Sequence, residues 1–513
     1  MKLSKYSFVI KRGSDYVLYN CWTEKMAVLE DRLRDWLESG DVDHIQDVHP
    51  EFYDYLLREQ FIVDNEVNEV EEVVRKWKEE EEREDCLSLM VNSTLDCNMR
   101  CWYCYEKHRA NTDLTPETVS SLLKLIRKRI TNPKLKSVHI SFFGGEPLLN
   151  FEKTVFPLLE QIDKMCQVEN KRFSVSFVSN SYLLSEEIVD KVHSLHVAQP
   201  MTVQITLDGN EEMHNKTRHL ASGEGTYGRI LSNMRMAVNK DVQITLRFNC
   251  TGNNVRTFVD VLADLKDWST EEKSKIRIDL QQVWQDMPRT DVDMQVEFKK
   301  IRELFTKEGF NVNEVRAISK SRCYGDHANH FIVNYNGDLY KCSARDFTKE
   351  NREGILTSDG DLEWNEKRAL RERIKYGNSA CMACRIYPLC HGGCSQGKLD
   401  QQGVNGCIKH YTELNKVKII RDRLEFLLEH FVLPFNAVRM REKKKLLKTL
   451  LKSGFSPLEI NKEGKLQGGF GVVDPNGNCR GNCDCPPAND VCPINGNCEE
   501  CPEPNENLKK KSL

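Results

Sequence analysis

The 513-residue sequence has no apolar run near the roughly 18 residues that a membrane-spanning helix needs, so no membrane span is expected. It has no surplus of either charge. Against 78 Asp+Glu stand 74 Lys+Arg, a formal net charge of -4. Without a large basic excess it cannot neutralise a phosphate backbone wholesale, and nucleic acid is excluded as a main partner. It has no export signal either. Tyr6–Ile10 is the apolar stretch before charge returns, and it is too short for a signal-peptide core. A cytoplasmic location is the expectation. Hydrophobic residues are lean at 39%, yet sufficient for cores, and at about 150 residues per domain the length suggests three or four domains. Cysteine is what the chain has in quantity, with 20. In a reducing compartment, cysteines at fixed spacings are metal ligands more often than disulfides.

Their placement divides the chain. Cys21, Cys86, Cys166 and Cys250 stand alone and read as buried small hydrophobes. The others fall into three groups: 97–104, 323–407 and 479–501. Ahead of them, residues 1–85 form a first module. Tyr6–Ile10 and Tyr16–Tyr19 alternate like short strands across the turn Arg12-Gly13-Ser14-Asp15. Met26, Leu29, Leu33 and Leu37 recur at helical spacing and predict a helix that stops at Gly40. Phe52, Tyr55, Leu56 and Phe61 suggest a second helix, and the acidic Val67–Asp85 reads as a solvated helix or linker. From 86 to 300, strand-like runs at Leu87–Val91, Val138–Phe143, Phe173–Val178, Val203–Leu207, Val242–Phe248 and Ile276–Leu280 alternate with helical patterns such as Pro116–Ile130. Repeated βα alternation predicts an α/β parallel sheet or barrel with its site at the carboxyl ends of the strands.

The first cysteine group, Cys97-x3-Cys101-x2-Cys104, follows the first of these strands in the stretch STLDCNMRCWYCYEKH. Three thiolates from one loop can hold three irons of a cubane cluster and leave the fourth open. The competing reading is a zinc knuckle completed by His108. With Tyr103 just before the third cysteine, this loop resembles the radical S-adenosylmethionine (SAM) enzymes. In that family the open iron chelates the methionine moiety of the cofactor. Gly144-Gly145-Glu146-Pro147, after the strand ending Phe142-Phe143, resembles the family's glycine-rich motif. Two glycines admit close backbone approach, and the Glu carboxylate can accept from an ammonium. Ser179-Asn180-Ser181 resembles a second family turn, and Thr206-Leu207-Asp208-Gly209 with His214 and Arg218 a third segment. The resemblance implies cofactor contacts at Gly144, Gly145, Glu146, Pro147, Asn180, Thr206, Asp208 and Arg218. It places Thr206 and Asp208 near the ribose or the substrate. Arg247 and Asn249 look family-like with less specificity. No catalytic acid or base is assigned.

The second group has Cys323, then Cys342, then Cys381-x2-Cys384-x5-Cys390-x3-Cys394, then Cys407. It resembles the SPASM extension of peptide-modifying members of the same superfamily; a pair of zinc sites is the alternative. The resemblance implies two auxiliary clusters. Cys323, Cys342 and Cys394 would hold the one nearer the active site, and Cys381, Cys384, Cys390 and Cys407 the distal one. Relatives with a fully ligated proximal cluster carry a further cysteine shortly before the first; Phe310–Arg322 contains none. An open proximal iron able to take a substrate thiolate is therefore expected. Ser343 stands where some sulfatase-maturing relatives carry a catalytic Asp, which weakens an oxidase of the formylglycine type.

After Asn436 the composition changes. Met440–Lys445 opens a basic amphipathic stretch ending at Gly454; FSPLEINKEGKLQGGF follows with Gly468-Gly469. The remainder carries Cys479, Cys483, Cys485, Cys492, Cys498 and Cys501 among Pro, Asn and Gly, and has too little apolar surface to fold alone. It resembles a ribosomal natural-product precursor, with a leader and a Cys-rich core. A disulfide knot, a zinc-binding tail and, for Met440–Leu451, a membrane- or calmodulin-binding helix are the competing readings.

The expected organisation is thus a small winged-helix-like leader-recognition domain (1–85), a partial (β/α)6 radical SAM barrel (86–310), a SPASM domain (311–436), a leader-like segment (437–469) and a mostly irregular Cys-rich tail (470–513). Leu458–Leu466 is the expected docking strand, added to an exposed sheet edge of the first domain. The implied function is a radical SAM/SPASM enzyme with SAM and three 4Fe–4S clusters. It would form thioethers on the precursor peptide (leader 440–469, core 470–513), in cis or in trans, with flavodoxin or ferredoxin as electron donor. Carbon–carbon crosslinking, epimerisation or another oxidation of the core is the alternative chemistry, and an inactive leader-binding scaffold the non-enzymatic one.

Overall fold

The computed structural model describes residues 1–286, 292–312, 322–403 and 405–428. It also describes, as backbone, 455–460, 466–470, 472–473 and 479–480. A large sheet organises the chain. Cys86–Asn92, Ser137–Phe143, Arg172–Val178, Thr202–Leu207, Gln243–Cys250 and Ile276–Gln282 lie parallel in chain order. These are the six strands expected from the sequence, each within two residues of its predicted bounds. The sheet does not stop there. Asn311–Val312 adds in parallel at one edge and His330–Val333 in parallel beside Cys86–Asn92 at the other. Asp338–Tyr340, Gly354–Leu356 and Leu362–Trp364 then continue it antiparallel. The second cysteine segment is thereby built onto the sheet beside Cys86–Asn92.

Period-2 alternation assigns the two faces. Leu87, Leu89 and Val91, with Val138, Ile140 and Phe142, are buried in one core beneath the helices. The helix Pro116–Ile130 shows why the connections hold. Thr115 caps it by accepting from the Thr118 N–H, Pro116 sits in its first turn, and Leu122, Leu125, Ile126 and Ile130 face the sheet. Each such side chain contributes about 1.5–3 kcal/mol on burial. The alternate residues form a polar row: Ser88, His139 and Ser174 are register partners, and the His139 Nδ1 lies 2.9 Å from the Ser174 Oγ.

The first module contains an antiparallel sheet, Ser7–Arg12, Asp15–Asn20 and Met26–Leu29. Helices Asp31–Ser39, Val42–Val48 and Pro50–Arg58 pack on it around Leu18, Leu33, Ile45, Phe52 and Phe61. Here the helical spacing misled. Met26 and Leu29 belong to the third strand, and the helix starts at Asp31. Four apolar residues spaced by three or four also fit a strand followed by a helix. Gly40 does end the helix, in the left-handed conformation at φ 79°.

The acidic stretch forms the helix Glu69–Glu81, but it is not merely solvated. Val73 and Trp77 are buried, and Trp77 packs edge-on against Tyr387 in the second cysteine segment. The first module is clamped there at several points. Lys5 Nζ donates to the Met382 carbonyl (2.8 Å), Arg385 Nη2 to the Ser7 carbonyl (3.1 Å), and Arg12 pairs with Glu425 (2.8 Å).

In the tail, Phe455–Ile460 pairs antiparallel with Leu466–Phe470. The strand that runs alongside Met26–Leu29, the outer strand of the first module's sheet, is Leu466–Phe470. The expected docking strand was Leu458–Leu466; Leu458–Ile460 lies instead in the hairpin partner. Met440–Leu451 and the tail cysteines from Cys483 onward lie outside the described residues. Among the described residues no helix is long and apolar enough to cross a membrane.

Candidate functional site

The first cysteine loop leaves the carboxyl end of Cys86–Asn92 and is tied down residue by residue. Thr94 Oγ1 accepts from the Asp96 N–H (3.0 Å), Asp96 from the Cys97 N–H (2.8 Å), and Arg100 N–H donates to His219 (3.1 Å). The turn after the neighbouring strand closes on it. Glu146 N–H donates to the Asp96 carbonyl (2.8 Å), and Gly145 N–H to the Glu106 carboxylate (2.9 Å). Gly145 has no room for a side chain. A Cβ there would lie 1.9 Å from the Asp96 oxygen, and one on Gly144 would lie 2.9 Å from Asn92 and Thr94. Both glycines have positive φ, 79° and 20°. The two loops are therefore as close as backbone permits.

Together they wall a cavity of about 140 Å³ at the carboxyl ends of the strands. Cys97, Cys101 and Cys104 line it, with Gly144, Gly145, Asn180, Thr206 and Arg218 of the expected cofactor contacts. Glu146, Pro147 and Asp208 stand behind the wall. Glu146 is fully buried, and its carboxylate accepts from Ser179 Oγ (2.8 Å), Asn180 N–H (2.7 Å) and Leu148 N–H (3.0 Å). Pro147 opens the short 3-10 turn Pro147–Asn150. Asp208 accepts from the Tyr103 hydroxyl (2.8 Å), which itself accepts from Arg218 Nη1 (2.9 Å) and Asn249 Nδ2 (3.0 Å). His214, fully buried, receives the Asp208 N–H at Nδ1 (3.4 Å), and Arg247 Nε donates to Asn249 (2.9 Å). Thus Tyr103 is not only the aromatic of the motif; it gathers Asp208, Arg218 and Asn249.

Glu106 was not singled out from the sequence. It lines the cavity, yet a Glu two positions after a cysteine carries no pattern of its own.

Burial sets the electrostatics. It pushes Cys97 and Cys104 up to about 12, so as free thiols they stay protonated at neutral pH. Thiolate character then has to come with a bound metal. Desolvation raises Glu106 to about 7 and Asp208 to about 6. The buried Arg218 leaves its Nε without a hydrogen-bond partner among the described residues. A cavity lined by three thiols, a backbone cradle and a guanidinium group fits a sulfur-ligated cluster beside an anionic ligand group. His108 does approach Cys104, at 3.6 Å. Among the described residues, however, no three His, Cys, Asp or Glu side chains converge closely enough to hold a single metal ion.

The second group sorts into two sets. Cys381, Cys384, Cys390 and Cys407 line one cavity of about 40 Å³ with Tyr387, Lys409 and Lys416. Cys323, Cys342 and Cys394 lie within electrostatic reach of one another, each raising the others' proton affinity or having it raised. These are the two residue sets that the sequence names as candidate ligands of a distal and a proximal cluster. The proximal set adjoins the first site. Tyr105 hydroxyl donates to the Ser343 carbonyl (2.7 Å), and Arg109 pairs with Asp346 (3.1 Å). The lone cysteines Cys21, Cys166 and Cys250 are buried as expected, whereas Cys86 is exposed.

Residues 91–265 match the model of the radical SAM superfamily. Among curated relatives, a probable GTP 3',8-cyclase of Methanocaldococcus jannaschii is 25% identical over 289 residues, covering 53% of this chain and 88% of that protein. The radical SAM cyclopropyl synthase TigE of Paramaledivibacter caminithermalis is 24% identical over 208 residues, 35% of this chain and 42% of that one. Among solved structures, anSMEcpe with bound AdoMet is 14% identical with a TM-score of 0.49, over 71% of this chain and 98% of that one. SuiB of Streptococcus suis bound to S-adenosylmethionine is 14% identical with a TM-score of 0.46, over 80% and 98%. Residues 91–265 are thus similar to a radical SAM domain, the fold that binds SAM and a 4Fe–4S cluster.

Proposed function

We propose that this radical SAM enzyme is a SPASM-type peptide maturase. Its substrate is the Cys-rich sequence of its own C-terminal region, in cis or as a separate copy, and its products are thioethers from cysteine sulfur to unactivated carbon. One observation carries the peptide part: Leu466–Phe470 runs beside Met26–Leu29, the outer strand of the first module's sheet. A sheet edge offers unpaired backbone groups to an extended peptide, which binds with little demand on sequence. Tethering raises the local concentration to about the millimolar range, so weak docking suffices.

In this reading Cys97, Cys101 and Cys104 hold the first cluster. Gly144 and Gly145 admit the cofactor's approach, and Arg218 binds its carboxylate. Reductive cleavage of SAM supplies a 5'-deoxyadenosyl radical, the agent that takes hydrogen from carbon. The chain's own residues exclude water and fix positions. Tyr103 holds Arg218 and Asn249 over the inner face, and Tyr105 joins the first loop to Ser343, one residue after Cys342. Cys323, Cys342 and Cys394 would hold a proximal cluster, and with no further cysteine in Phe310–Arg322 a substrate thiolate could serve as its remaining ligand. The distal four-cysteine cavity, with Lys409 and Lys416 at its rim, suits electron exchange with an acidic carrier such as flavodoxin or ferredoxin.

Docking is tested by splitting the chain after Arg439 and supplying 440–513 separately. The peptide is expected to bind, and Gln467→Pro with Gly469→Pro, which disrupt the hairpin that presents this strand, to weaken it at least about tenfold. Unchanged affinity would refute edge docking. Deleting 1–80 is the poorer test, because Tyr6, Cys21 and Trp77 pack with Cys381 and Tyr387 in one core.

A further inference from the structure

The site contains more acidic side chains than the one the cofactor's methionine moiety needs, and Asp208 among them is already taken by the Tyr103 hydroxyl. That moiety is a zwitterion, so its pocket requires an acceptor for an α-ammonium and a donor for an α-carboxylate. Glu146, the acid of the glycine-rich motif, is badly placed for the first task. Its carboxylate is already held by Ser179 Oγ, Asn180 N–H and Leu148 N–H, and it has no exposed surface and no place in the cavity wall. A carboxylate offers about four acceptor positions. Three are filled by the protein, and the fourth has no route to the cavity.

Glu106 is in the opposite situation. It lines the cavity with the three cysteines and Arg218. One oxygen takes the Gly145 N–H at 2.9 Å, and among the described residues no other protein donor reaches the carboxylate. Among the described residues no Lys or Arg forms an ion pair with it; Arg109, three residues on, is committed to Asp346. A carboxylate turned into a cavity without a cation is costly unless the ligand brings one. Arg218 supplies the complementary charge in the same wall.

We infer that Glu106, and not Glu146, is the carboxylate that receives the α-ammonium of SAM, while Glu146 is a positioning residue that locks the turn. The inference rests on the cavity being the SAM site. Glu106 then has two tasks in one side chain. It anchors the glycine turn through Gly145 and takes the ligand's cation with its other oxygen, coupling turn geometry to cofactor seating.

The test is a binding cycle on the anaerobically reconstituted full chain, with two probes: SAM, and its deaminated analogue that lacks the α-amino group. Affinities are read by equilibrium dialysis and by the change each probe makes in the electron paramagnetic resonance spectrum of the reduced first cluster. Wild type should prefer SAM roughly ten- to hundredfold, the range of one charge-assisted hydrogen bond. In Glu106→Gln the preference should collapse to within about threefold. A Glu106→Gln protein that keeps its iron and the full wild-type preference overturns the inference, as does a wild type with no preference. Should Glu106→Gln fail to take up the first cluster, Glu106→Asp decides: a reduced preference supports the inference and an unchanged one refutes it. A wild type that binds neither probe refutes the cavity assignment itself, a distinguishable failure.

Discussion

Replacing Gly145 by Ala tests the closeness of the two loops. The added Cβ would sit 1.9 Å from the Asp96 carbonyl oxygen, well inside the 3.0 Å that Cβ contacts essentially never breach. The obstacle is backbone, so no rotamer change relieves it, and one loop must move by about 1 Å. Asp96 immediately precedes Cys97, and its carbonyl accepts the Glu146 N–H at 2.8 Å. Movement therefore breaks that bond and displaces the cysteine loop together. Overpacking costs about 1–3 kcal/mol and an unmade buried hydrogen bond about 1–3 kcal/mol. A site needing both loops in register loses about 2–6 kcal/mol, so SAM affinity should fall at least ~30-fold. The assay is equilibrium binding to reconstituted protein, with iron per chain measured alongside. Gly13→Ala is the control. It also has positive φ, 61°, but nothing lies within 4 Å of the new methyl, and it should leave binding unchanged. Gly145→Ala binding SAM as wild type does would refute the close-approach argument.

Three further outcomes follow from the same geometry. Cys97→Ala, Cys101→Ala and Cys104→Ala together should remove one cluster's worth of iron and all SAM cleavage; cleavage that survives would displace the active site from this loop. Changing all six tail cysteines to Ser should alter the spectrum of one auxiliary cluster only, and an identical spectrum would exclude thiolate ligation at the proximal set. His330 gives a pH signature. Burial, helped by Lys341, His327 and His139, lowers it to about 3 from the usual 6.5. The folded state thus binds fewer protons than the unfolded one. The stability this contributes is present above about pH 6.5 and is lost as pH falls toward 3. His330→Asn should flatten the decline in denaturation midpoint between pH 7.5 and 5, and an unchanged slope would show that His330 is not the group responsible.

The strands of the parallel sheet were legible because a strand buried on one or both faces writes itself as a short β-branched or aromatic run between turn residues. The cysteine groups were legible for a different reason: ligand spacing is local chemistry. What escaped reading depended on contacts far apart in sequence. Met26 and Leu29 fit a helical period, but their strand is fixed by pairing with Tyr16 and Tyr19. Trp77 lay in an acidic stretch that looked solvated, and its burial comes from Tyr387, some three hundred residues away. The strands that extend the six-stranded parallel sheet on either side, Asn311–Val312 and His330–Val333, are too short to show a period. In the site, the motif's carboxylate and the cavity's carboxylate could be separated only once Ser179 and Asn180 were seen to occupy Glu146.

The central claim is that the cysteine loop directs radical chemistry onto the Cys-rich tail. The most direct measurement is the mass of the 470–513 region after anaerobic incubation of the reconstituted full chain with SAM and reductant. Each thioether removes two hydrogens, about 2 Da, and makes one thiol unreactive to alkylation, with 5'-deoxyadenosine formed in step. The account predicts that paired loss in wild type and its absence in the Cys97/Cys101/Cys104 variant. A tail of unchanged mass with all six cysteines alkylated, in a protein that cleaves SAM, would contradict it.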